Sequence, residues 1–511
     1  MTDAAWTPHP IERVLGRARG DLTWEDLVEA VERLGLEQVD LRYVGGDGRL
    51  KTIAFPIGSR EQLVAVLVRG ERVDGSSVFG GASTEDSDVY VVPRWSTAFV
   101  NPFGTRPSLD LLCSFYDSEG EPLAHAHDQV VRRAAEALTE ETGLVLEAFG
   151  ELEYYLVSQP DPLYAVEPER GYQESPPFSK HRQVREEVLR HLAAFGIATK
   201  YVHGEVGGAV EDGRQLVQHE IELLPVPVPE AADALVVAKW LVREVAHAHG
   251  LEATFAPSVT ADGAGNGLHV HSRLVRPAGS ADTEGTGDEA VNVIVDDDGL
   301  TDTGKRLVAG YLGAARALSA LGNTVPTSYL RLEEGEESPE GICWGETDRT
   351  GLVRVPLAWV GDVLPGMVAH ANPGTGGALP DLGVHPQTVE LRLGDGSADV
   401  HLLLAGMALA ARRGLTDPDS LEQAERLRAD GDGGGDGEQD DLEQLPTSCA
   451  ESADALEADR ELLEADGVFP SRLVDEVLDR LRERHAATRG KRTRKDAAAR
   501  EELVRRYWHV G

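Results

Sequence analysis

Cysteine is scarce in this chain, and its few cysteines are far apart. The 511 residues include only Cys113, Cys343 and Cys449, none of which forms a CxxC pair. This spacing excludes a disulfide framework and a structural zinc site built on cysteine. We therefore expect a protein of the reducing cytoplasm.

Basic residues are also few relative to acidic ones. The chain has 49 Lys and Arg against 88 Asp and Glu, a formal net charge of −39. Such a surface repels polyanions, which argues against nucleic acid as the principal partner. The acidic composition instead indicates a surface adapted to high salt or one that keeps the protein soluble. This inference concerns the surroundings of the protein and not its chemistry.

Long apolar runs are absent as well. No uncharged apolar stretch is long enough to form a transmembrane helix, and the first residues lack a basic region followed by an apolar one. We therefore expect a protein that is neither exported nor membrane-spanning. With 41% hydrophobic residues, the chain can bury a sizeable core in roughly two to four domains.

What the chain does contain is an apolar, strand-like run with two acids in it, from Gly150 to Val157. Alternate side chains of a strand share a face, so Glu151 and Glu153 point the same way. Burying two adjacent carboxylates is costly unless positive charge neutralises them. A divalent cation is the usual solution.

The same pattern recurs in three later segments, each with ionisable groups two residues apart: His219–Glu222, Leu268–His271 and Val389–Arg392. A single segment of this kind is more often an ordinary strand with one wet face. Four of them, far apart in the sequence, favour the walls of one polar, metal-bearing cavity.

The order of helix-like and strand-like segments predicts an α+β protein. We expect a helical lead-in over 1–35, a small mixed module over 36–125 and a large domain over 126–511. Strands are predicted at 39–44 and 50–55, a polar turn at 74–77, and helices at 60–69, 128–141, 181–195, 229–249, 304–321 and 399–414. Acidic, low-complexity stretches near 278–290 and 429–441 are predicted to be flexible. A basic cluster at 489–495 favours a solvated tail over a docking segment.

Several motifs, in order, resemble the type I glutamine synthetase family of bacteria and archaea over about residues 37–460. They are DGSS at 74–77, GELEYYL at 150–156, HGEV at 203–206, QHEIE at 218–222, GNGLHVH at 265–271, SYLRL at 328–332 and VELRLGDGSAD at 389–399. The resemblance implies a small N-terminal β-grasp domain and a catalytic domain of helices around an antiparallel sheet. It also implies active sites between neighbouring subunits of a homo-oligomer, a dodecamer of two stacked rings.

The resemblance also implies a role for individual residues. One metal site would comprise Glu153, Glu205 and Glu220, and the other Glu151, His269 and Glu390. Carboxylates with one imidazole suit Mg²⁺ or Mn²⁺ better than zinc, and the family implies two or three such ions per site with ATP as co-substrate.

Substrate residues follow from the same motifs. Gly265 and Arg331 would bind glutamate, and His271 would lie near the nucleotide phosphates. The planar, permanently charged guanidinium groups of Arg349, Arg354 and Arg392 would stabilise the transferring phosphate.

The implied reaction has two steps. Glutamate attacks the γ-phosphate of ATP to form γ-glutamyl phosphate, and ammonia then displaces phosphate. Asp74 would take the proton from ammonium, with Ser77, Asp88 and Tyr172 beside it, the first two residues of this set coming from the neighbouring subunit. Glu337 would act as the flap that keeps water from the intermediate.

Three positions depart from the family pattern. Ala264 stands where an asparagine usually helps to hold glutamate, and Thr347 stands where many members have an additional arginine. The segment between Glu205 and Glu220 is longer than usual, which predicts a longer hairpin with Asp212-Gly213 at its turn.

Three functions remain open at this point. The leading hypothesis is the synthesis of glutamine from glutamate and ammonia. The second is a γ-glutamyl-amine ligase of the same chemistry, in which a polyamine, ethanolamine or another amine replaces ammonia. The third is a catalytically inactive nitrogen-sensing regulator, which the presence of all six metal-ligand residues disfavours.

Overall fold

The computed structural model describes residues 7–79, 88–260, 263–279, 289–334, 338–339, 341–359, 363–374, 379–380, 383–429, 442–488 and 497–511. Glu337 and the basic cluster at 489–495 lie outside these ranges, as do most positions of the two acidic low-complexity stretches.

The strands are β1 (Gln38–Val44), β2 (Leu50–Pro56), β3 (Glu71–Asp74), β4 (Asp88–Pro93), β5 (Phe99–Asn101), β6 (Ser108–Tyr116), β7 (Val145–Ser158), β8 (Thr199–Glu211), β9 (Arg214–Leu223), β10 (Val226–Pro227), β11 (Glu252–Thr254), β12 (Gly267–Arg276), β13 (Val291–Asn292), β14 (Val295–Asp296), β15 (Gly299–Leu300), β16 (Gly341–Glu346), β17 (Gly351–Val355) and β18 (Val389–Asp395).

The helices are α1 (Pro10–Leu15), α2 (Trp24–Leu34), α3 (Arg60–Arg69), α4 (Gly75–Phe79), α5 (His127–Thr142), α6 (Arg182–Ala194), α7 (Val228–Ala248), α8 (Asp302–Gly322), α9 (Ser328–Glu334), α10 (Val363–Ala371), α11 (Val400–Thr416), α12 (Ser420–Arg426), α13 (Cys449–Ala458), α14 (Glu461–Glu464), α15 (Ser471–Ala486) and α16 (Ala497–Arg506).

The helices predicted from apolar spacing are confirmed. Helix α3 spans the predicted residues, and α5, α6, α7, α8 and α11 begin and end within two residues of their predicted bounds. Side-chain caps explain where some helices begin. At the N-terminus of α2, the Thr23 hydroxyl and the Asp26 carboxylate form a capping box. Within the described ranges, none of the helices combines the length and apolar character needed to cross a membrane.

The N-terminal sheet has the order β2-β1-β6-β4-β3, with β5 paired to β6. Its strands are antiparallel except for β1, which runs parallel to β6. Leu41, Leu67 and Phe115 are fully buried in its core. The sheet and its helices form a separate hydrophobic cluster from that of the larger sheet.

The polar turn predicted at 74–77 is wrong, because this segment ends one strand and starts a helix. Asp74 is the last residue of β3, and α4 begins at Gly75. The Asp74 carboxylate accepts hydrogen bonds from the Ser76 amide at 3.0 Å and the Ser77 hydroxyl at 2.7 Å. An aspartate at this position caps the helix, which the sequence pattern of a turn cannot distinguish.

The large sheet has the order β16-β17-β18-β12-β7-β9-β8, with β10 and β11 paired to β7 and β13 paired to β12. Its pairings are antiparallel except for the parallel β16–β17 pair. The four strands predicted to carry the metal cavity, β18, β12, β7 and β9, are consecutive neighbours. The α+β class is thus confirmed, with one parallel pair in an otherwise antiparallel sheet.

Helices α8 and α11 pack tightly beneath this sheet because small residues let their backbones approach. A Cβ added at Gly310 would lie 2.2 Å from the Ala410 carbonyl oxygen, and one at Gly414 would lie 2.8 Å from the Gly310 Cα. Leu402, Leu404 and other side chains of α11 are fully buried. This close contact gives the acidic strands a rigid support.

A largely buried ion cluster joins the two sheets. Arg94, which follows β4, donates to both carboxylate oxygens of Asp233 on α7 at 2.5 and 3.0 Å, and His401 on α11 lies 3.1 Å from the same carboxylate. Burial raises the pKa of the Asp233 carboxyl, but the Arg94 guanidinium and His401 outweigh it and hold the pKa below its ordinary value.

We predict that Asp233→Ala lowers the free energy of unfolding by about 3 kcal/mol near neutral pH, because it leaves Arg94 largely buried without its counter-charge. Since the folded-state pKa of Asp233 is depressed, this contribution is complete above about pH 4 and disappears as the pH falls further. Urea unfolding at pH 7 and at pH 3 measures both effects. The exposed Asp479→Ala serves as control, and equal unfolding of the two variants at pH 7 would contradict the prediction.

Candidate active site

Neighbouring strands of the large sheet turn ionisable side chains to one face, where they line a cavity of about 220 Å³. The register explains the convergence, since residues paired directly across antiparallel strands project to the same face. Glu151 is paired with His269 and with Glu222, and Glu153 is paired with Glu220. The predicted site residues that line the cavity are Glu151, Glu153, Tyr172, Glu205, Glu220, His269, His271, Arg349, Arg354, Glu390 and Arg392.

Two histidines bridge Glu151 and Glu390 at one side of the cavity. His269 Nδ1 lies 3.2 Å from Glu151 Oε2 and 3.6 Å from Glu390 Oε1. His271 Nε2 lies 3.0 Å from Glu151 Oε1 and 3.9 Å from Glu390 Oε2. Glu151, His271 and Glu390 present atoms close enough together to hold one metal ion.

The environment of this group keeps Glu151 ionised. Burial raises the pKa of the Glu151 carboxyl, but His271 and His269 outweigh burial and hold that pKa well below its usual range. The His271 ring is fixed by stacking on Phe149, with centroids 4.7 Å apart, and by a 2.9 Å contact between Nδ1 and the Thr388 hydroxyl. The ring nitrogen Nε2 therefore faces the carboxylates of Glu151 and Glu390.

A second group lies on the other side of Glu151. His203 Nδ1 is 3.5 Å from Glu205 Oε2, and its Nε2 is 3.8 Å from Glu220 Oε1. Burial, together with the charges of Glu151 and Glu153, raises the pKa of Glu220 well above its ordinary value. Glu153 is held in place by the Gln218 amide at 3.0 Å and the Gly267 N–H at 2.7 Å.

These donor atoms fit divalent cations such as Mg²⁺ or Mn²⁺. His203, Glu205 and Glu220 form one set with metal-holding spacing, and Glu151, Glu220 and Glu222 form another. Carboxylate oxygens with few imidazoles match the hard-ligand preference of both ions. The raised pKa of Glu220 agrees with this fit, because a bound cation would favour the ionised form of the clustered carboxylates.

Arginines border the same carboxylates. Arg354 Nη1 donates to Glu390 Oε2 at 2.9 Å, and Arg392 Nε lies 3.4 Å from Glu390 Oε1. Arg392 also donates to the carbonyl of Arg349, whose own side chain is exposed at the cavity. Planar guanidinium groups next to metal-type ligands suit a phosphoryl group.

Arg331 on α9 lies behind the glycine-histidine loop. A Cβ at Gly265 would lie 2.8 Å from Arg331 Cγ, and one at Gly267 would lie 2.9 Å from both Arg331 Nη2 and His269 Nε2. At Gly265 the Pro257 carbonyl oxygen would also lie 2.4 Å from an added Cβ, so this position requires glycine. Arg331 is buried, yet its Nη1 has no hydrogen-bond acceptor among the described atoms. An unused buried donor of this kind is ready to bind an anionic group.

The three departures from the family pattern have clear positions. The Ala264 amide donates to Glu169 Oε2 at 3.1 Å, and its carbonyl accepts from the Tyr155 hydroxyl at 2.8 Å, so hydrogen bonds to its backbone hold this residue. Thr347 has a left-handed φ of 61° and an exposed side chain. The predicted hairpin with Asp212-Gly213 at its turn is confirmed: these residues join β8 to β9, both with positive φ, as a tight hairpin turn requires.

The remaining predicted residues do not line the cavity. Asp74 and Ser77 are exposed at the head of α4, and Asp88 is paired with Asp74 across β3 and β4. Gly265 and Arg331 adjoin the cavity through the Gly267 contact, and Glu337 lies outside the described residues.

The sequence interpretation also missed residues that line the cavity, among them His203, Glu222, Lys200 and Tyr201. Glu222 had a signal, because it follows Glu220 by two residues on the same strand. Lys200 donates to the Glu222 carboxylate and balances part of its charge.

Comparison with known proteins agrees with this architecture. The family described as "Glutamine synthetase, beta-Grasp domain" matches residues 35–118, and "Glutamine synthetase, catalytic domain" matches residues 128–365 and 378–497. The predicted pairing of a β-grasp domain with a catalytic domain is thereby confirmed. The catalytic-domain match omits residues 366–377. In chain order, this segment begins within α10 and lies between β17 and β18.

Relatives match over most of the chain. Glutamine synthetase of Pyrococcus horikoshii is 28% identical over 439 residues, covering 84% of this chain and 86% of the relative. That of Methylococcus capsulatus is 25% identical over 491 residues, covering 90% and 95%.

Solved structures share the fold at lower identity. Plasmodium falciparum glutamine synthetase superposes with a TM-score of 0.71 at 19% identity, covering 91% of this chain and 96% of that one. A GmaS/ADP complex superposes with a TM-score of 0.69 at 22% identity, covering 94% and 99%. From the two family matches, the ordered motifs and the acidic cavity between the central strands, we conclude that this chain belongs to the glutamine synthetase family of ligases.

Proposed function

We propose that this protein synthesises glutamine from glutamate and ammonia at the expense of ATP, through γ-glutamyl phosphate. The observation that carries the proposal is the cavity in which clustered carboxylates meet Arg349, Arg354 and Arg392. Such a cavity suits phosphoryl transfer, because the reaction gathers negative charge that cations must stabilise.

The residues proposed as metal ligands are Glu153, Glu205 and Glu220 for one ion and Glu151, His269 and Glu390 for another, with His203 and Glu222 close enough to contribute. A bound Mg²⁺ or Mn²⁺ would neutralise the carboxylates and the phosphate oxygens of ATP. His271 is proposed to contact the nucleotide phosphates, although its distance to Glu151 also suits a metal-ligand role.

In the proposed first step, a γ-carboxylate oxygen of glutamate attacks the γ-phosphorus of ATP, and the bond from that phosphorus to the bridging oxygen breaks. Arg331, with its unused buried donor, is proposed to hold the α-carboxylate beside Gly265. Arg354 and Arg392, already next to Glu390, would stabilise the transferring group.

In the proposed second step, ammonia attacks the acyl carbon, the bond from that carbon to the phosphate oxygen breaks, and phosphate leaves. Asp74 is proposed as the acceptor of the ammonium proton, and hydrogen bonds from Ser76 and Ser77 lower the pKa of its carboxyl, so it is ionised at neutral pH. Tyr172 lies at the cavity with its ring 5.4 Å from that of His203. Glu337 is proposed as the flap over the intermediate.

Asp74, Ser77 and Asp88 are exposed and lie outside the cavity of their own chain. This placement supports a homo-oligomer in which the segment serves the active site of a neighbouring subunit. We propose the dodecamer implied by the family.

A γ-glutamyl-amine ligase is the second candidate function. Ala264 keeps this candidate open, because it replaces the asparagine that usually helps to hold glutamate with a methyl side chain. Retention of Asp74, Ser77 and Tyr172 favours ammonia. The inactive regulator is disfavoured by the convergence of the proposed metal ligands.

The acceptor is tested by phosphate release from ATP with glutamate and Mg²⁺ or Mn²⁺, adding ammonium, methylamine, ethanolamine or putrescine in parallel. We expect ammonium-dependent release with glutamine identified by mass. Release driven by one amine but not by ammonium would establish the γ-glutamyl-amine ligase instead, and no release with any acceptor would support the regulator.

Metal binding is tested by calorimetric titration of the metal-free protein with Mn²⁺. We predict that Glu220→Gln weakens Mn²⁺ binding by about tenfold or more, because it removes a charged ligand from the centre of the cluster. The exposed Glu422→Gln on α12 should bind Mn²⁺ like the unaltered chain. Equal affinities of the two variants would argue against the proposed ligand set.

A further inference from the structure

A second cavity, of about 290 Å³, lies at the junction between the two sheets and shares no residue with the acidic cavity. It is bordered by the turn between β1 and β2, by the loop 397–399 and by α15. Residues 506–511 close its remaining side.

Arg49, Arg480, Arg484 and Arg506 line this cavity, and we call them the arginine cluster. Arg480 donates to the Gly46 carbonyl at 2.9 Å, Arg484 to the Thr324 carbonyl at 2.6 Å and Arg49 to the His509 carbonyl. The described residues provide no carboxylate that forms an ion pair with any member of the cluster.

The acids in the cavity wall have other partners, although Asp399 also attracts Arg480 and Arg484. Asp47 pairs with Lys51 at 3.0 Å, and Asp399 lies 3.2 Å from the His127 ring and caps α11. The chain has 88 acidic and 49 basic residues, so four arginines that line one cavity without an ion pair concentrate positive charge against the overall acidic balance. Burial, together with the neighbouring Arg480, lowers the pKa of Arg484 despite the attraction of Asp399.

Unused guanidinium N–H groups that converge on a cavity match an anion with several oxygen atoms. We propose that the arginine cluster binds a small multivalent anion, an organic phosphate or a di- or tricarboxylate. The cavity volume suits a single molecule of this size, and the net repulsion among the arginines decreases when such an anion binds.

The position of the cluster suggests what binding would change. Arg480 holds the Gly46 carbonyl, and the Gly46 amide donates to the Val78 carbonyl of α4 at 3.0 Å. Helix α4 begins directly after Asp74. Anion binding would therefore stabilise the segment that carries Asp74. It would also alter the use of ammonium, a consequence that rests on the proposed function. The binding site itself does not depend on that function.

The test measures binding of pyrophosphate and of citrate by calorimetry at constant ionic strength in metal-free buffer, where the acidic cavity repels anions. We expect saturable binding of at least one of them to the unaltered protein. Stronger binding of pyrophosphate identifies the phosphate class, and stronger binding of citrate identifies the carboxylate class. Binding of neither above a chloride control would overturn the proposal.

Variants place the site. Arg484→Gln should weaken binding about tenfold, since it removes one charge-assisted contact. Arg482→Gln is the matched control, because Arg482 lies on the same helix but pairs with Asp454 on the surface. Equal loss in both variants, or loss in neither, would contradict the assignment. If Arg484→Gln fails to fold, as judged by circular dichroism, Arg480→Gln replaces it with the same expected result.

The regulatory consequence has its own readout. With the anion that binds, amide exchange at 45–48 and 75–79 should slow in the unaltered protein and in Arg482→Gln but not in Arg484→Gln. Binding without this protection would retain the site and overturn its link to Asp74. Because neither measurement requires turnover, failure of the proposed ammonia ligase activity would be seen separately in the acceptor assay.

Discussion

Repulsion among carboxylates is the constraint on which the rest of the structure depends. Glu151, Glu153, Glu205, Glu220, Glu222 and Glu390 are among the described residues that face one cavity. Histidines hold the pKa of Glu151 low, whereas burial and its neighbours raise the pKa of Glu220. The arrangement therefore favours cations. The proposed metal ions and the bordering arginines both supply positive charge that reduces the repulsion among the carboxylates.

The scaffold keeps this unfavourable arrangement in place. Sheet register fixes which acids face each other, and the close contact of α8 and α11 at Gly310 and Gly414 supports the sheet from below. The Arg94–Asp233–His401 cluster ties the N-terminal sheet to the same support. Asp74 thus belongs to a module with a fixed position relative to the catalytic strands, which the proposed sharing of active sites between subunits requires.

Local patterns in the sequence predicted much of the fold. Alternation identified the strands of Glu151 and Glu220, and apolar spacing identified α3, α5 and α7, because these signals need no distant partner. The sequence around Asp74 predicts a turn, because a turn aspartate and a helix-capping aspartate have the same local signature. His203 precedes Glu205 by two residues on β8, so alternation places both on one face, although the β8–β9 register shifts between Gly204 and Gly208. The contacts of Arg331 with the loop at Gly267 and of Arg480 with Gly46 join segments far apart in sequence, which a single sequence does not specify.

The central claim is that this cavity activates the carboxylate of glutamate by phosphorylating it before any acceptor reacts. It is tested most directly with ATP that carries heavy oxygen in the bridge between its β and γ phosphorus atoms, incubated with glutamate and Mg²⁺ but without ammonium or amine. The account predicts that the label moves into the non-bridging β positions, since ADP forms reversibly in the site and its terminal phosphate rotates. An unscrambled label, in an enzyme that forms amide once the acceptor is added, would contradict a separate phosphorylation step.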